Sequence, residues 1–175
     1  MQPSTSIAGE MDLPSPRVEI EPRPEDVRFI EDRLYDYNVE QTGVGDGQWL
    51  AIFIRDDNGD LAAGLHGWTW GGGCRVQTLW VRSDLRRHGY GTKMLAAAEE
   101  EASARGCDRL LLDTFGFQAP LFYRKHGYEV VGVFDDVLPP HRLYRLRKSL
   151  KPASRASGGG LTEGSTGHPE AREQT

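Results

Sequence analysis

The sequence predicts an α/β fold of the α+β kind, in which a mixed sheet carries helices on its faces. Three apolar runs separated by glycine-containing turns, within residues 49–81, predict an antiparallel meander. Apolar residues at spacings of three and four within residues 90–105 predict an amphipathic helix. The leucine run inside residues 109–113 predicts a buried central strand. The expected order is therefore a helix, three strands, a helix, a strand, a helix and two strands.

The first predicted helix begins at Pro24, whose fixed φ and missing N–H are harmless in the first turn of a helix. One face of this helix is apolar and comprises Val27, Ile30, Leu34 and Tyr37. Residues 1–23 contain four prolines and few large apolar side chains, so we expect them to be disordered. Residues 151–175 lack aromatics and predict a disordered, flexible tail. The folded domain is expected to span residues 24–150.

Two turns divide the predicted meander into strands 49–55, 61–70 and 74–81. Asp57-Asn58-Gly59 predicts a type I′ hairpin, because Asn and Gly tolerate the positive φ values of that turn. Gly71-Gly72-Gly73 predicts the second turn.

The predicted helix 90–105 ends at Gly106, a residue that suits a helix C-cap. Its apolar face comprises Met94, Leu95, Ala98 and Ala102. After the central strand, residues 118–126 predict a short helix with Pro120 in its first turn. Residues 128–134 and 141–148 predict the last two strands.

Composition limits the classes of partner. With 175 residues the chain is long enough for one domain with its own core. A net charge of −5 argues against a protein built to bind nucleic acid, so no nucleic-acid partner is expected. No apolar run is long enough to span a membrane, and the N-terminus lacks the apolar core of a signal peptide. We therefore expect a cytoplasmic protein without a membrane partner.

The cysteines and histidines predict neither a disulfide scaffold nor a metal site. The chain has two cysteines, Cys74 and Cys107, which we expect to be small buried or half-buried thiols. There is no Cys-x-x-Cys motif, and no pair of the five histidines has zinc-ligand spacing. No bound metal is expected.

A glycine turn links the third strand to the second helix, and it runs Arg86, Arg87, His88, Gly89, Tyr90 and Gly91, with Thr92 next. Two glycines let the backbone turn tightly and approach a ligand, while the first N–H groups of a helix attract anions. A pyrophosphate site is therefore predicted here. The turn lacks the Gly-Lys-Ser/Thr of a Walker A loop, and Met94 stands where a dinucleotide fingerprint needs its third glycine.

What remains is Arg-x-x-Gly-x-Gly, carried by Arg86, Gly89 and Gly91. This pattern resembles the acyl-CoA pyrophosphate loop of the GNAT superfamily of N-acetyltransferases. A second segment, residues 119–129, resembles the superfamily's Phe/Leu-Tyr-x-x-x-Gly-Phe/Tyr motif through Tyr123 and Gly127. The resemblance covers about residues 25–150, and its specific motifs lie within residues 76–130.

The resemblance implies a mostly antiparallel sheet whose central strand pair splays apart, with acetyl-CoA as the acyl donor. The pantetheine arm would lie between the splayed strands against Leu79, Trp80 and Val81, and residues 86–92 would bind the pyrophosphate. Tyr123 matches the superfamily's general acid, which protonates the departing thiolate. An ordinary thiol has a pKa of about 8.5 and a tyrosine of about 10, so the phenol is able to supply that proton.

The resemblance implies an enzyme that acetylates a primary amine of a small molecule or peptide, and the alternative is an acyl-CoA sensor or partner-binding module without turnover. Where many relatives have an asparagine, seven residues before the tyrosine, this chain has Gly116, and Gln118 is a candidate replacement. Exposed sheet edges can pair between copies, so a homodimer is compatible with the sequence.

Two sets of residues are candidates for the acceptor side of the site. The candidate general bases are His66, Asp113, Asp135, Asp136 and His141. The candidate aromatic walls of an acceptor pocket are Trp49, Trp68 and Trp70.

Overall fold

A computed structural model of the chain describes residues 14–151. The elements are α1 (Pro24–Thr42), β1 (Gln48–Arg55), β2 (Leu61–Trp70), β3 (Gly73–Val81), α2 (Tyr90–Ala104), β4 (Arg109–Phe115), α3 (Pro120–Lys125), β5 (Glu129–Leu138) and β6 (His141–Ser149). This order confirms the predicted succession of helices and strands. One short 3-10 turn, Ser83–Leu85, was not predicted.

The predicted disordered segments fall mostly outside the described residues, which exclude 1–13 and 152–175. Residues 14–23 are exposed and form neither helix nor strand. The described chain divides into two compact units between Tyr37 and Asn38, inside α1. The predicted domain boundaries at residues 24 and 150 stay predictions.

In the first unit, α1 begins at Pro24, as predicted. Arg23 places its guanidinium on the Asp26 carboxylate with bonds of 2.8 and 2.9 Å, which fixes an acidic residue in the first helical turn. None of the residues of α1 is buried, so its predicted apolar face is exposed.

The second unit contains one six-stranded sheet in the order β1-β2-β3-β4-β6-β5. The central β3–β4 pair is parallel, and the other neighbouring pairs in this described sheet are antiparallel. The predicted fold class, a mixed and mostly antiparallel sheet with helices, is confirmed.

The core of this unit lies between the sheet and α2. All four residues of the predicted apolar face of α2 are buried, namely Met94, Leu95, Ala98 and Ala102. They belong to one cluster with sheet residues that include Leu65, Leu110, Leu112 and Leu146. Each fully buried leucine stabilises the fold by about 1.5–3 kcal/mol. This packing fixes α2 on one face of the sheet.

The turn between β1 and β2 is a hairpin, as predicted, but its predicted type I′ geometry is wrong. Gly59 has a φ of +85°, whereas Asn58 has a negative φ, so the turn lacks the two positive values that type I′ requires. The amide of Gly59 donates to the Asp56 carbonyl at 2.9 Å, and the Asp56 amide donates to the Asp60 carbonyl at 2.9 Å. The loop is therefore three residues long and closes on a glycine bulge.

Among the described residues, no helix is both long enough and apolar enough to cross a bilayer.

Candidate active site

The site forms where the two central strands part. Parallel pairing runs from Gly73 with Arg109 to Val76 with Leu112 and then stops, although both strands continue. The gap opens into a cavity of about 880 Å³. Its walls come from β3, the glycine turn, the start of α2, β4 and α3. The splayed central pair expected from the resemblance is present.

A β-bulge lies at the point of divergence. His66 pairs with Thr78 while Gly67 pairs with Val76, so Gln77 is an extra residue on β3. A bulge bends its strand and increases the local twist. The last parallel pair between β3 and β4 involves Val76, directly before the extra residue. The bulge therefore accounts physically for the place where β3 leaves β4.

Beyond the bulge, backbone groups of β3 face the gap. The Arg82 amide donates to the Ala62 carbonyl of the β2 side at 3.0 Å. Because hydrogen-bonding direction alternates along a strand, Trp80 also bonds toward β2, whereas Leu79 and Val81 direct their N–H and C=O groups into the gap. Trp80 lines the cavity and, since its backbone is committed to β2, can contact a ligand there with its side chain.

The glycine turn has a constrained backbone. Gly89 is the N-cap of α2 with a φ of +84°, and Arg87 has a φ of +66°, which is uncommon for a residue with a side chain. The first amides of α2 have no acceptor inside the helix and lie at the positive end of its dipole. Arg86, Arg87, Gly89, Gly91 and Thr92 all line the cavity.

Two predicted members of the turn do not line the cavity. His88 makes a 2.9 Å hydrogen bond between Nδ1 and the Arg86 carbonyl oxygen. Tyr90 lies beneath Lys93, whose Nζ is 5.4 Å from the ring centre. Arg86 donates from Nε to the Val81 carbonyl at 3.1 Å, which ties the turn to the end of β3.

Tyr123 lines the cavity from α3 and is 7 % exposed. Its ring packs edge-on against Phe122 and Tyr128, with ring centres 5.1 and 5.8 Å away. Burial raises the pKa of the Tyr123 phenol above its ordinary value. Within the described part of the chain, the hydroxyl makes no hydrogen bond, so its proton is available to a group in the cavity.

His126 links the start of α2 to α3. Its Nδ1 is 2.8 Å from the Phe122 carbonyl oxygen, which can only accept, so Nδ1 carries the proton. Its Nε2 is 3.1 Å from Thr92 Oγ1. The contact between Thr92 and His126 thus connects the start of α2 to α3, the helix that carries Tyr123.

Residues 14–128 match the model of the acetyltransferase (GNAT) family. The chain belongs to this family. It is similar to acetyltransferase Atu2258 of Agrobacterium fabrum, with 38% identity over 105 residues that cover 60% of this chain and 77% of the relative. It is also similar to the blasticidin-S acetyltransferase of Streptomyces morookaense, with 35% identity over 104 residues, 57% of this chain and 74% of that protein.

The fold agrees with this relationship. A crystal structure of an acetyltransferase from Bacillus cereus matches with a TM-score of 0.63 at 28% identity, and the match covers 77% of this chain and 98% of that one. The protein is therefore an acyltransferase, and enzymes of this family generally use acetyl-CoA as donor.

Gly116 stands where many relatives have an asparagine, and Gln118 was the candidate replacement. In this acetyltransferase Gln118 lines the cavity and Gly116 does not. The Gln118 Oε1 accepts from the Phe115 amide at 2.8 Å and from the Thr114 hydroxyl at 3.3 Å. The carbonyl end of this side chain is thus used within the protein, and its NH₂ group is the end left to meet a ligand.

Of the five candidate bases, Asp113 is the one that lines the cavity. Hydrogen bonds from Arg145 are the main cause that lowers the pKa of Asp113, so this carboxylate is a weaker base than an ordinary aspartate. His66 lies on β2, next to the β3 strand that lines the cavity, and its buried Nδ1 has no hydrogen-bond partner in the described structure. Asp135 forms an exposed ion pair with Arg142 at 2.7 Å.

The three tryptophans proposed as acceptor walls lie outside the lining of this cavity. Trp49 packs edge-on against Trp68 at 6.5 Å, and Trp70 donates from Nε1 to the Val44 carbonyl at 2.8 Å. Sequence reasoning missed Thr78, Phe117 and Phe122, which do line it. Their proximity in sequence to Leu79, Gln118 and Tyr123 was the available signal.

Both cysteines are buried, as predicted, and neither forms a disulfide. Burial raises the pKa of the Cys74 thiol to about 12, which leaves almost no thiolate at neutral pH. Among residues 14–151, no group of three or more metal-ligating side chains comes together.

Proposed function

We propose that this acetyltransferase transfers an acetyl group from acetyl-CoA directly to a primary amine of a small molecule or peptide. The observation that supports this most is the position of Tyr123, a buried phenol that lines the gap between β3 and β4. The similarity of the chain to a blasticidin-S acetyltransferase also supports transfer of an acetyl group.

The cavity fits a long donor with an anionic end. The free amides at the start of α2 and the guanidinium of Arg87 favour a pyrophosphate at the glycine turn. Farther along β3, Leu79 and Val81 turn backbone groups into the gap, where an extended pantetheine amide can pair with them as an added strand would. Acetyl-CoA supplies an activated thioester to this site.

In the proposed reaction, the neutral amine attacks the thioester carbonyl, a C–N bond forms and the C–S bond breaks. A backbone N–H on Leu79 or Val81 stabilises the negative charge that develops on the carbonyl oxygen. Tyr123 gives its proton to the departing sulfur, so CoA leaves as a thiol. The attacking nitrogen loses one proton to solvent or to a base, the product is a neutral amide, and Tyr123 regains its proton from solvent before the next cycle.

Thiol release tests the proposal. The purified chain, acetyl-CoA and a panel of primary amines are expected to yield free thiol in equal amount to N-acetylated product, measured by a thiol reagent and by mass spectrometry. Binding of CoA without thiol release on any amine of the panel would support a non-catalytic acyl-CoA module and contradict the proposal.

Two matched glycines test the pyrophosphate turn. Gly89 and Gly106 flank α2 with φ values of +84° and +82°, and apart from the adjacent residues of the chain no described atom lies within 4 Å of a Cβ built on either. Alanine at either position should cost about 1–2 kcal/mol of stability, because L side chains disfavour this conformation. We expect Gly89→Ala alone to raise KM for acetyl-CoA several-fold. An equal rise in Gly106→Ala would show that lost stability, not lost phosphate contact, is the cause.

A further inference from the structure

A charged cluster lies beside the gap, and the proposed reaction gives it no role. It consists of Arg75 on β3, Asp113 on β4 and Arg145 on β6, which are neighbouring strands. The Asp113 carboxylate accepts from Arg75 Nη2 at 2.9 Å, from Arg145 Nε at 2.8 Å and from Arg145 Nη2 at 3.0 Å. We call these three residues the arginine–aspartate cluster.

The cluster lies on the face of the sheet opposite α2. Leu110, Leu112 and Thr114 are buried on the α2 side, so Asp113, which alternates with them, projects from the other side. Asp113 is the first residue of β4 beyond the last parallel pair, and it lines the cavity. Asp113 therefore marks the place where the gap reaches the face opposite α2, and the two arginines flank it on β3 and β6, just outside the lining of the cavity.

The cluster carries an unbalanced positive charge. Two guanidinium groups share one carboxylate, and their side chains remain 37% and 42% exposed. Each guanidinium has five N–H donors, and the three bonds to Asp113 leave most of them without an acceptor in the described structure. Such donors suit a carboxylate, which accepts paired N–H bonds.

Aromatic rings hold both guanidinium groups in place. The Arg75 Cζ lies 5.8 Å from the Trp68 ring centre, and the Arg145 Cζ lies 5.7 Å from that of Phe134. Fixed donors lose less conformational freedom when they bind an anion than free surface side chains do. A pair of arginines held by Asp113 and by two rings is thus organised for a ligand before the ligand arrives.

We propose that the arginine–aspartate cluster binds a carboxylate of the acceptor, so that the acceptor is an amino acid-like amine with its carboxylate near the reacting nitrogen. This inference rests on the proposed function, because it concerns the acceptor side of the same gap. The inference narrows the class of acceptor from any primary amine to a primary amine that also carries a carboxylate.

Matched acceptors provide the test. The common L-amino acids and their carboxamides are compared in pairs by thiol release. Because the amino groups of an acid and its amide differ in pKa, each kcat/KM is calculated from the concentration of the neutral amine. For the best pair, the wild-type chain should prefer the acid about tenfold or more, as charge-assisted hydrogen bonds are strong. Equal rates for acid and amide in every pair would overturn the inference.

Variants assign the preference to the cluster. Arg75→Gln and Arg145→Gln should reduce the preference for the acid to near unity. Asp113→Asn keeps one side-chain oxygen that can accept from the arginines but removes the only negative charge of the cluster, so it should increase the preference. Arg147→Gln is the matched control, because Arg147 lies on the same strand and face as Arg145 and makes no contact with Asp113 in the described structure. A loss in Arg147→Gln as large as in Arg75→Gln would mean that general charge is responsible and would overturn the inference.

Binding without turnover separates this inference from the proposed function. With CoA present, calorimetry should detect the N-acetyl-amino acid of the best pair at millimolar concentration but not its carboxamide, and Arg75→Gln should abolish the signal. If no amine releases thiol, the proposed function fails; the panel of N-acetyl-amino acids is then titrated instead. Absence of binding by every acid of that panel would overturn the carboxylate site.

Discussion

Replacing Tyr123 by phenylalanine is expected to lower kcat by about 10²-fold or more, with little change in KM for acetyl-CoA. The phenylalanine keeps the ring contacts to Phe122 and Tyr128 but removes the proton that the departing sulfur needs. The measurement is steady-state thiol release on the best amine of the panel. A variant that keeps nearly the wild-type kcat across the pH range would remove the acid role from Tyr123.

The raised pKa of Tyr123 determines the expected pH profiles of the wild type and of Tyr123→Phe. Burial raises the pKa of Tyr123, so its proton stays in place below about pH 10, the ordinary value of a phenol. The wild-type rate should rise with pH as the amine loses its proton, and ionisation of Tyr123 should cause no fall within that range. Tyr123→Phe should be slower at every pH, with a profile of the same shape.

Tyr128 provides the matched control for Tyr123. It is also a buried tyrosine, and its hydroxyl donates to Glu99 Oε1 at 3.0 Å instead of facing the cavity. Tyr128→Phe should lose about 1 kcal/mol of stability, because the partly buried Glu99 loses one hydrogen bond but keeps its ion pair with Lys148. Its kcat should stay within a few-fold of the wild type. A large loss of kcat in both variants would indicate damaged packing around α3.

Local patterns predicted the elements of this fold well. The spacing of Met94, Leu95, Ala98 and Ala102 placed one face of α2 in the core, because burial of apolar side chains is what stabilises that helix. The hairpin at Asn58-Gly59 was predicted in place but not in type. Loop length, set by how Asp56 and Asp60 pair, decided the type, and a dipeptide does not carry that information.

The candidate site was predicted where it depends on local sequence and missed where it depends on pairing. The glycine turn could be predicted from the sequence, because a φ of +84°, as at Gly89, favours glycine. The similar conformation of Arg87 could not, since no local preference favours it there. The arginine–aspartate cluster joins residues 38 and 32 positions apart, and only the register of three strands brings them together.

Gly67→Ala is expected to be the most destabilising of the substitutions considered, with a loss of about 3 kcal/mol or more and a fall in Tm of roughly 10 °C. A Cβ at this position would overlap the Arg75 carbonyl oxygen and lie 2.9 Å from the Arg75 carbonyl carbon and 3.0 Å from Val76 Cα. These are backbone atoms of a central strand, which cannot rotate away as a side chain can. Thermal and urea unfolding measure the effect.

Gly64→Ala on the same strand is the control for this substitution. Its Cβ would lie 3.3 Å from Phe53 Cδ1, an exposed side chain that can move, so we expect a loss below about 1 kcal/mol. Gly67 also faces Val76, the last residue of β3 before the bulge, so any relief of its clash must move the strand that lines the gap. A folded Gly67→Ala protein should therefore bind acetyl-CoA less tightly. Stability and KM equal to those of Gly64→Ala would show that the close approach at the bulge does not set the geometry of the gap.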